Sequence, residues 1–425
     1  MISIGVPAEG KDEPRIGLSP ETAKKLVKAG AKVTVRAGAG LRSHFSDQDY
    51  KDAGAEIAKS DTDAVSAADV VFTVRRPPLT LAKAMKKGAA LIGMLDPFSD
   101  AEELDALAKT GVTLFSMELM PRITRAQSMD VLSSQSNLAG YKAVVDAAAA
   151  FERALPMMMT AAGTVPAARV FIMGVGVAGL QAIATARRLG AIVTATDVRP
   201  AVKEQVASLG AKFIAVEDEE FKQAESAGGY AKEMSDAYKK KQAELVAEHV
   251  KNQDIVITTA LIPGRPAPKL ISKAMIESMK PGSIIVDLAA ERGGNTEVTK
   301  PGEIAGHKGA RVFGLLNLPG QVPVNASSLY AKNLLAFLEP FIDKETKELA
   351  INWDDELAKG TAIARDGAIV NEMIAERLGG KGTKAARATG TATKSAPAKP
   401  KANGRAKAPA KKSGTPRQPK GGKST

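Results

Sequence analysis

ARVFIMGVGVAGLQAIATARRLGAIVTATDVRP, residues 168–200, decides how the chain is read. An apolar β run leads into Gly174, Gly176 and Gly179, spaced as GxGxxG, and a helical pattern follows. In a dinucleotide fold the first glycine makes the tight turn and the second lets a pyrophosphate approach the backbone. The third lets the helix pack against the strand. The helix N-terminus adds free N–H groups and partial positive charge for phosphates. Asp197 lies eighteen residues past Gly179, at the end of the next β run. A carboxylate there accepts hydrogen bonds from adenosine ribose hydroxyls and repels a 2′-phosphate, which favours NAD(H) over NADP(H). Arg199 points the other way, because an arginine nearby accommodates that phosphate. A lone GxGxxG is weak, and a turn built only for packing would carry the same glycines. The strand, helix and acid around it strengthen the nucleotide reading.

Around this segment the same rhythm repeats. Strand candidates at 168–174, 191–197, 211–216, 254–260, 283–289 and 311–317 alternate with helical stretches, the pattern of a doubly wound dinucleotide fold. Nearer the N-terminus, MISIGV, KVTVRAG, DVVFTV, AALIGML and VTLFSME read as strands. SPETAKKLVKAG and DAEELDALAKTG read as amphipathic helices that end at glycine. A second helix-covered parallel sheet is expected there. Two stretches break the rhythm. Residues 217–249 are long, charged and glycine-containing, which predicts a lid, a binding loop or disorder. SSLYAKNLLAFLEPFI (327–342) is apolar at helical spacing and predicts a helix returning the chain to the first sheet. No internal repeat of solenoid length is visible.

The formal charge of +12 is local. Residues 381–425 hold thirteen Lys and Arg and no acid, leaving 46 basic against 47 acidic residues elsewhere. That tail, rich in Lys, Ala and Pro, is too polar to offset its chain entropy and is expected to be disordered. It reads as a solubilising tail, or as a basic arm for an anionic membrane face or nucleic acid. It has no aromatic residue, which argues against stacking on single-stranded bases, and no nucleic-acid partner is expected. There is no cysteine, so disulfides, thiolate metal sites and cysteine nucleophiles are excluded. MISIGVPAEGKDEPR lacks the form of a signal peptide, and no apolar run is long enough to span a bilayer.

One stretch is polar beyond its surroundings: RITRAQSMDVLSSQSNLAGY, Arg122 to Tyr141. It has no His, Cys, Glu or Lys. Taken singly, Arg122 and Arg125 read as solvated, Ser133 and Ser134 as a helix cap, and Asn137 as a turn residue.

Together, RAQSMDVLSSQSNLAGYKAV, GVGVAGLQAIATARRLGA, ATDVRP, TTALIPGRPAP and VDLAAERGGN resemble the soluble NAD(H)-binding domain of proton-translocating nicotinamide nucleotide transhydrogenases. The resemblance covers residues 1–375, and the chain's end without membrane helices is similar to the bacterial three-subunit arrangement. It implies an α/β fold of two Rossmann-like parallel-sheet domains around a nucleotide cleft, with the basic tail outside the pattern. One domain would span 1–125 and 330–380, the other 126–329. It further implies a homodimer on the cytoplasmic face of the bacterial inner membrane. That dimer would dock on membrane-embedded partner subunits, including a beta subunit that binds NADP(H). The reaction is reversible hydride transfer between NADH and NADP⁺, coupled to proton translocation. Carried over residue by residue, Gln127 contacts the nicotinamide ribose, Arg122 and Asp130 orient the nicotinamide, and Ser133 holds its carboxamide. Val177, Ala178 and Gly179 border the phosphates, and Asp197, Val198 and Arg199 the adenosine ribose. Gly229 and Tyr230 belong to a mobile loop, and Gln242 and Leu261 are adenosine-side contacts.

The missing acid and base fit that chemistry. Hydride passing between two nicotinamides moves no substrate proton, so proximity, ring orientation and exclusion of water are the whole task. An Arg122–Asp130 pair with Gln127 and Ser133 would serve it. Alanine dehydrogenase shares the pattern but must also move a proton. That family's Lys segment reads Phe72-Thr73-Val74-Arg75-Arg76-Pro77 here, and Asp96 stands where its His is expected. Arg15 does match its substrate-carboxylate arginine and is read here as structural or as a phosphate neighbour. His44, His249 and His307 lie elsewhere, in contexts that predict surface or structural roles, and no metal-ligand spacing is visible. A non-catalytic NAD-sensing scaffold is the third reading.

Overall fold

The structure, a computed structural model, describes residues 1–222, 234–262 and 264–378. Its centre is the strand Arg169–Met173, whose apolar run is buried over four of five residues. Parallel neighbours on both sides explain why the run does not alternate, since both faces are covered. The sheet runs Lys212–Phe213, Ile192–Thr196, Arg169–Met173, Ile255–Thr258, Ile284–Asp287, Ala310–Phe313, Ile304–His307. All six strands expected in this region are present. Ile304–His307 is an addition to them. It pairs antiparallel with Ala310–Phe313 through a tight turn at Lys308 and Gly309, both at positive φ.

The N-terminal sheet repeats the winding. Its order is Ala368–Ile369, Ala362–Arg365, Thr113–Ser116, Ala90–Gly93, Val70–Phe72, Ser3–Val6, Lys32–Arg36, Glu56–Ala58. The five strands expected here are present. Glu56–Ala58 and the two C-terminal strands are too short and too mixed in polarity to announce themselves.

Each sheet is covered on both faces. Ile4, Val33, Phe72 and Phe115 meet Tyr330, Leu334 and Phe337 of the helix Pro323–Leu338. That helix is the return element expected at 327–342, starting four residues earlier at a proline suited to a first turn. The opposite face buries Leu104 and Leu107 of the helix Ala101–Ala108, which Asp100 caps. In the second sheet Val170, Ile172 and Ile257 pack on Ala182, Ile183 and Ala186 of the helix Val177–Arg188. The other face takes Val246 and Val250 of Asp236–Val250. The stretch 217–249, expected as one irregular connection, is therefore half helix, capped by Ser235 and anchored by buried Tyr238. Gly229 and Tyr230, expected in a mobile loop, lie outside the described residues, as does the tail 381–425.

One element serves both sheets. The helix Val131–Ala150 packs Ala143, Val144 and Ala147 into the second sheet's core. Near its start Ser134 donates to Asn333 of the return helix at 2.7 Å, and Gln135 donates to the Ala326 carbonyl at 3.1 Å.

Candidate nucleotide site

The turn after Arg169–Met173 is built as the glycines require. Gly174 sits at φ +100, and a Cβ there would fall 2.5 Å from Thr259 Oγ1. A Cβ on Gly179 would fall 1.9 Å from the Gly174 carbonyl oxygen, so this helix turn can rest on the strand only without one. At Gly176 a Cβ would meet nothing within 4 Å. Gly176 is also the N-cap of Val177–Arg188 and supplies no side-chain cap. An open space thus faces the first N–H groups of a twelve-residue helix, which suits a pyrophosphate.

Asp197 follows the next strand and is largely buried. Its carboxylate accepts from Val175 N at 2.7 Å and Arg199 N at 2.9 Å, and pairs with the Arg199 guanidinium at 2.9 and 3.0 Å. The two residues that point to opposite nucleotides in the sequence therefore hold each other. Asp197→Ala should weaken NADH binding about tenfold or more, since charge-assisted hydrogen bonds contribute about 1.5–3 kcal/mol. It should weaken NADPH binding less, because the charge of Arg199 is no longer offset by the Asp197 carboxylate. Fluorescence titration with both nucleotides checks this, and equal losses for both would contradict it.

Val177, Val198 and Leu261 follow the carboxyl ends of three adjacent parallel strands, and all three are exposed apolar side chains. Doubly wound sheets bind ligands at that edge. Gln242 has another engagement: it accepts from Val216 N at 2.9 Å and donates to Thr196 Oγ1 at 3.0 Å. It tethers the helix Asp236–Val250 to the strand end beside Asp197.

The polar stretch forms a 3-10 segment, Thr124–Met129, and then the helix Val131–Ala150. Asp130, rather than Ser133 or Ser134, is the N-cap. It accepts from Ser133 N at 2.9 Å and also from the Ser133 hydroxyl. Arg122 and Gln127 are exposed. Arg125 is tied to Asp355 at 2.6 and 3.0 Å. Further along, Asn137 donates to Gln181 of the helix Val177–Arg188 at 3.3 Å. A Cβ on Gly140 would fall 2.1 Å from the Ala178 carbonyl oxygen. Sequence reasoning passes over Gly140. The available signal is a glycine inside a long helix, which costs about 1 kcal/mol and needs a packing reason. At 1.5 Å per residue, Ser133 lies about 10 Å along the axis from that contact. Asp130 and Ser133, at the start of this helix, are thereby linked to the glycine turn through one element.

A cavity of about 450 Å³ opens between the first sheet's loops and Glu291, Leu316 and Asn317 of the second half. Arg15, beside it, is 2% exposed and donates from each of its three guanidinium nitrogens: Glu13 accepts at 2.6 and 2.7 Å, and Gln135 at 2.7 Å. Burial pushes the Glu13 carboxyl up, but Arg15 and Arg75 more than offset this and hold it at about 2. Glu9 accepts from Val74 N and Arg75 N, yet burial lifts it to about 7. Arg76 is held by Glu103 and the Leu95 and Asp96 carbonyls. Asp96 pairs with Arg292 of the second half at 2.6 Å.

None of the three histidines lines this cavity. His249 meets Thr194 and the Phe171 edge, with burial lowering its pKa, and His307 meets Glu277. His44 ends a 3-10 turn in the left-handed region. Among the described residues no cluster of His, Cys, Asp and Glu is arranged to hold a metal ion. No helix there is long and apolar enough to cross a membrane.

Known proteins share this arrangement. The sequence model described as alanine dehydrogenase/PNT, N-terminal domain matches residues 5–139, and that of the C-terminal domain matches 143–372. The chain is 54% identical over 380 residues to a protein from Rhodospirillum rubrum named as the first portion of NAD(P) transhydrogenase subunit alpha, covering 88% of this chain and 99% of that one. A solved transhydrogenase structure from Sinorhizobium meliloti superposes with a TM-score of 0.79 at 55% identity, over 87% of this chain and 100% of that one. A solved L-alanine dehydrogenase gives a TM-score of 0.74 at 27% identity, over 89% and 99%.

Proposed function

Since the chain belongs to the alanine dehydrogenase/PNT family, we propose that it is the NAD(H)-binding subunit of a transhydrogenase. It exchanges hydride reversibly between the NADH it holds and NADP⁺ carried by a partner subunit. Bound NADH supplies the hydride, and the chain supplies position. The observation that carries this reading is the helix Val131–Ala150. Its glycine contact touches the phosphate turn, and its polar start holds amide, hydroxyl and carboxylate groups but no histidine or lysine. Val177, Ala178 and Gly179 receive the pyrophosphate at the helix N-terminus. Asp197, Val198, Arg199, Gln242 and Leu261 form the adenosine end. Gln127, Arg122, Asp130 and Ser133 orient the nicotinamide, and Gly229 and Tyr230 close on the bound nucleotide.

In this reading the two domains comprise 1–125 with 330–380, and 126–329, each centred on its own sheet. The chain is a homodimer that is active with partner subunits, docked on membrane-embedded ones on the cytoplasmic face of the bacterial inner membrane, and transfer is Re/Si-specific and coupled to proton translocation. A dehydrogenase acting on alanine is disfavoured by Arg15, whose guanidinium Glu13 and Gln135 already occupy, and by Asp96, which pairs with Arg292. A bare sensor has no need of the helix-borne polar cluster.

The test mixes the purified chain with an NADP(H)-binding partner domain and follows hydride transfer from NADH to an NADP⁺ analogue. Transfer is expected only in the mixture, with no alanine-dependent NADH formation by the chain alone. Tight NADH binding without transfer would support the sensor, and alanine oxidation the dehydrogenase.

A further inference from the structure

We infer that Asp96 and Arg292 form a clasp across the nucleotide crevice, and that this pair sets the rate at which NAD(H) leaves. The inference rests on the NAD(H) site proposed above. Arg292 ends a 3-10 turn after the strand Ile284–Asp287. Buried Asp287 fixes that turn by accepting from Ala289 N at 2.9 Å and Asn295 N at 2.6 Å. The turn is in turn tied to the segment that follows the strand Ile255–Thr258. Ala267 N donates to the Arg292 carbonyl at 2.9 Å, and Asn295 bonds Ala260 N, Ala260 O and Pro268 O at 2.8–3.1 Å. That segment starts beside the phosphate turn, where Thr259 Oγ1 donates to the Gly174 carbonyl at 2.9 Å. Turn and segment therefore move as one edge of the crevice.

The other jaw belongs to the N-terminal sheet. Asp96 sits at φ +45, a strained conformation for a residue with a Cβ. Such a residue persists only where its surroundings over-determine it. Here Glu118 accepts from Leu95 N at 3.1 Å and Asp96 N at 2.8 Å, while Arg76 donates to the Leu95 and Asp96 carbonyls at 2.8 and 2.6 Å. Four hydrogen bonds thus hold a strained residue whose carboxylate reaches Arg292 at 2.6 Å. A second crossing lies beside it. Arg377 donates to the Gly264 carbonyl at 2.7 Å, with its guanidinium 5.1 Å from the Phe98 ring. Both partners of the Asp96–Arg292 pair are about half exposed, so the pair is weak enough to open on each turnover.

The experiment measures NADH release by stopped flow from the full chain, unmodified and as Asp96→Asn, Arg292→Gln and the double variant. Asparagine tolerates the left-handed backbone, so Asp96→Asn removes the charge alone. Each single variant should release NADH about two- to fivefold faster, the range of an exposed ion pair, and the double variant no faster than either. Raising salt should speed release from the unmodified chain and leave the variants unchanged. Additive effects, unchanged release in the variants, or salt-insensitive release from the unmodified chain would overturn the clasp. If the unmodified chain bound no NADH, the nucleotide-site reading itself would fall.

Discussion

Gln127→Asn should slow hydride transfer about a hundredfold, because a misplacement of about 1 Å between reacting groups costs that much. NADH affinity should stay close to that of the unmodified chain. Gln127 is exposed on the 3-10 segment Thr124–Met129, outside the glycine turn at 174–179. Removing one methylene keeps the amide and shortens its reach, so an orienting contact is lost while the adenosine end is untouched. Single-turnover transfer with a partner domain, set beside an NADH titration, separates the two quantities. Equal losses in transfer and binding would refute the role of Gln127.

The second expected result is a contrast between two neighbouring glycines. Gly176→Ala should abolish tight NADH binding and leave the melting temperature unchanged or slightly raised. Its φ of −79° is ordinary for alanine, and the added Cβ meets nothing in the free protein but fills the space a pyrophosphate needs. Gly179→Ala should abolish binding and also destabilise the fold by about 1–3 kcal/mol, the cost of forcing atoms into a packed contact. Its Cβ would press on the Gly174 carbonyl, and backbone cannot rotate out of the way. Thermal melts and NADH titrations on both variants check the pair. If Gly176→Ala retained full affinity, the phosphate assignment would be wrong.

Much of the architecture is legible in the sequence. Arg169–Met173, Ile255–Thr258 and Ile284–Asp287 are dominated by apolar residues because both faces of the sheet are covered, and such runs stand out. The hairpin Ile304–His307 with Ala310–Phe313 does not, because its first strand is half exposed and mixed in polarity. Asp236–Val250 reads as part of an irregular connection, since its lysine-rich face hides the few buried positions Tyr238, Val246 and Val250. For the site, the glycines and Asp197 are legible because their spacing carries the mechanism. That Arg15 reaches Gln135 and that Gly140 meets Ala178 are matters of tertiary packing. No local pattern encodes a contact between residues 120 apart.

The contact of Gly140 with Ala178 also sets a mechanical tolerance. A helix is a stiff rod, and this one lies along the helix Val177–Arg188, with Gly140 against the Ala178 carbonyl and Asn137 bonded to Gln181. From Gly140 to Asp130 is ten residues, about 15 Å, so a tilt of about 4° of the rod swings its polar end through about 1 Å. Hydride donor and acceptor tolerate little more than that. A side chain larger than hydrogen at position 140 would push the rod off the Ala178 carbonyl and should detune transfer from a distance, with the side chains of Asp130 and Ser133 themselves unaltered.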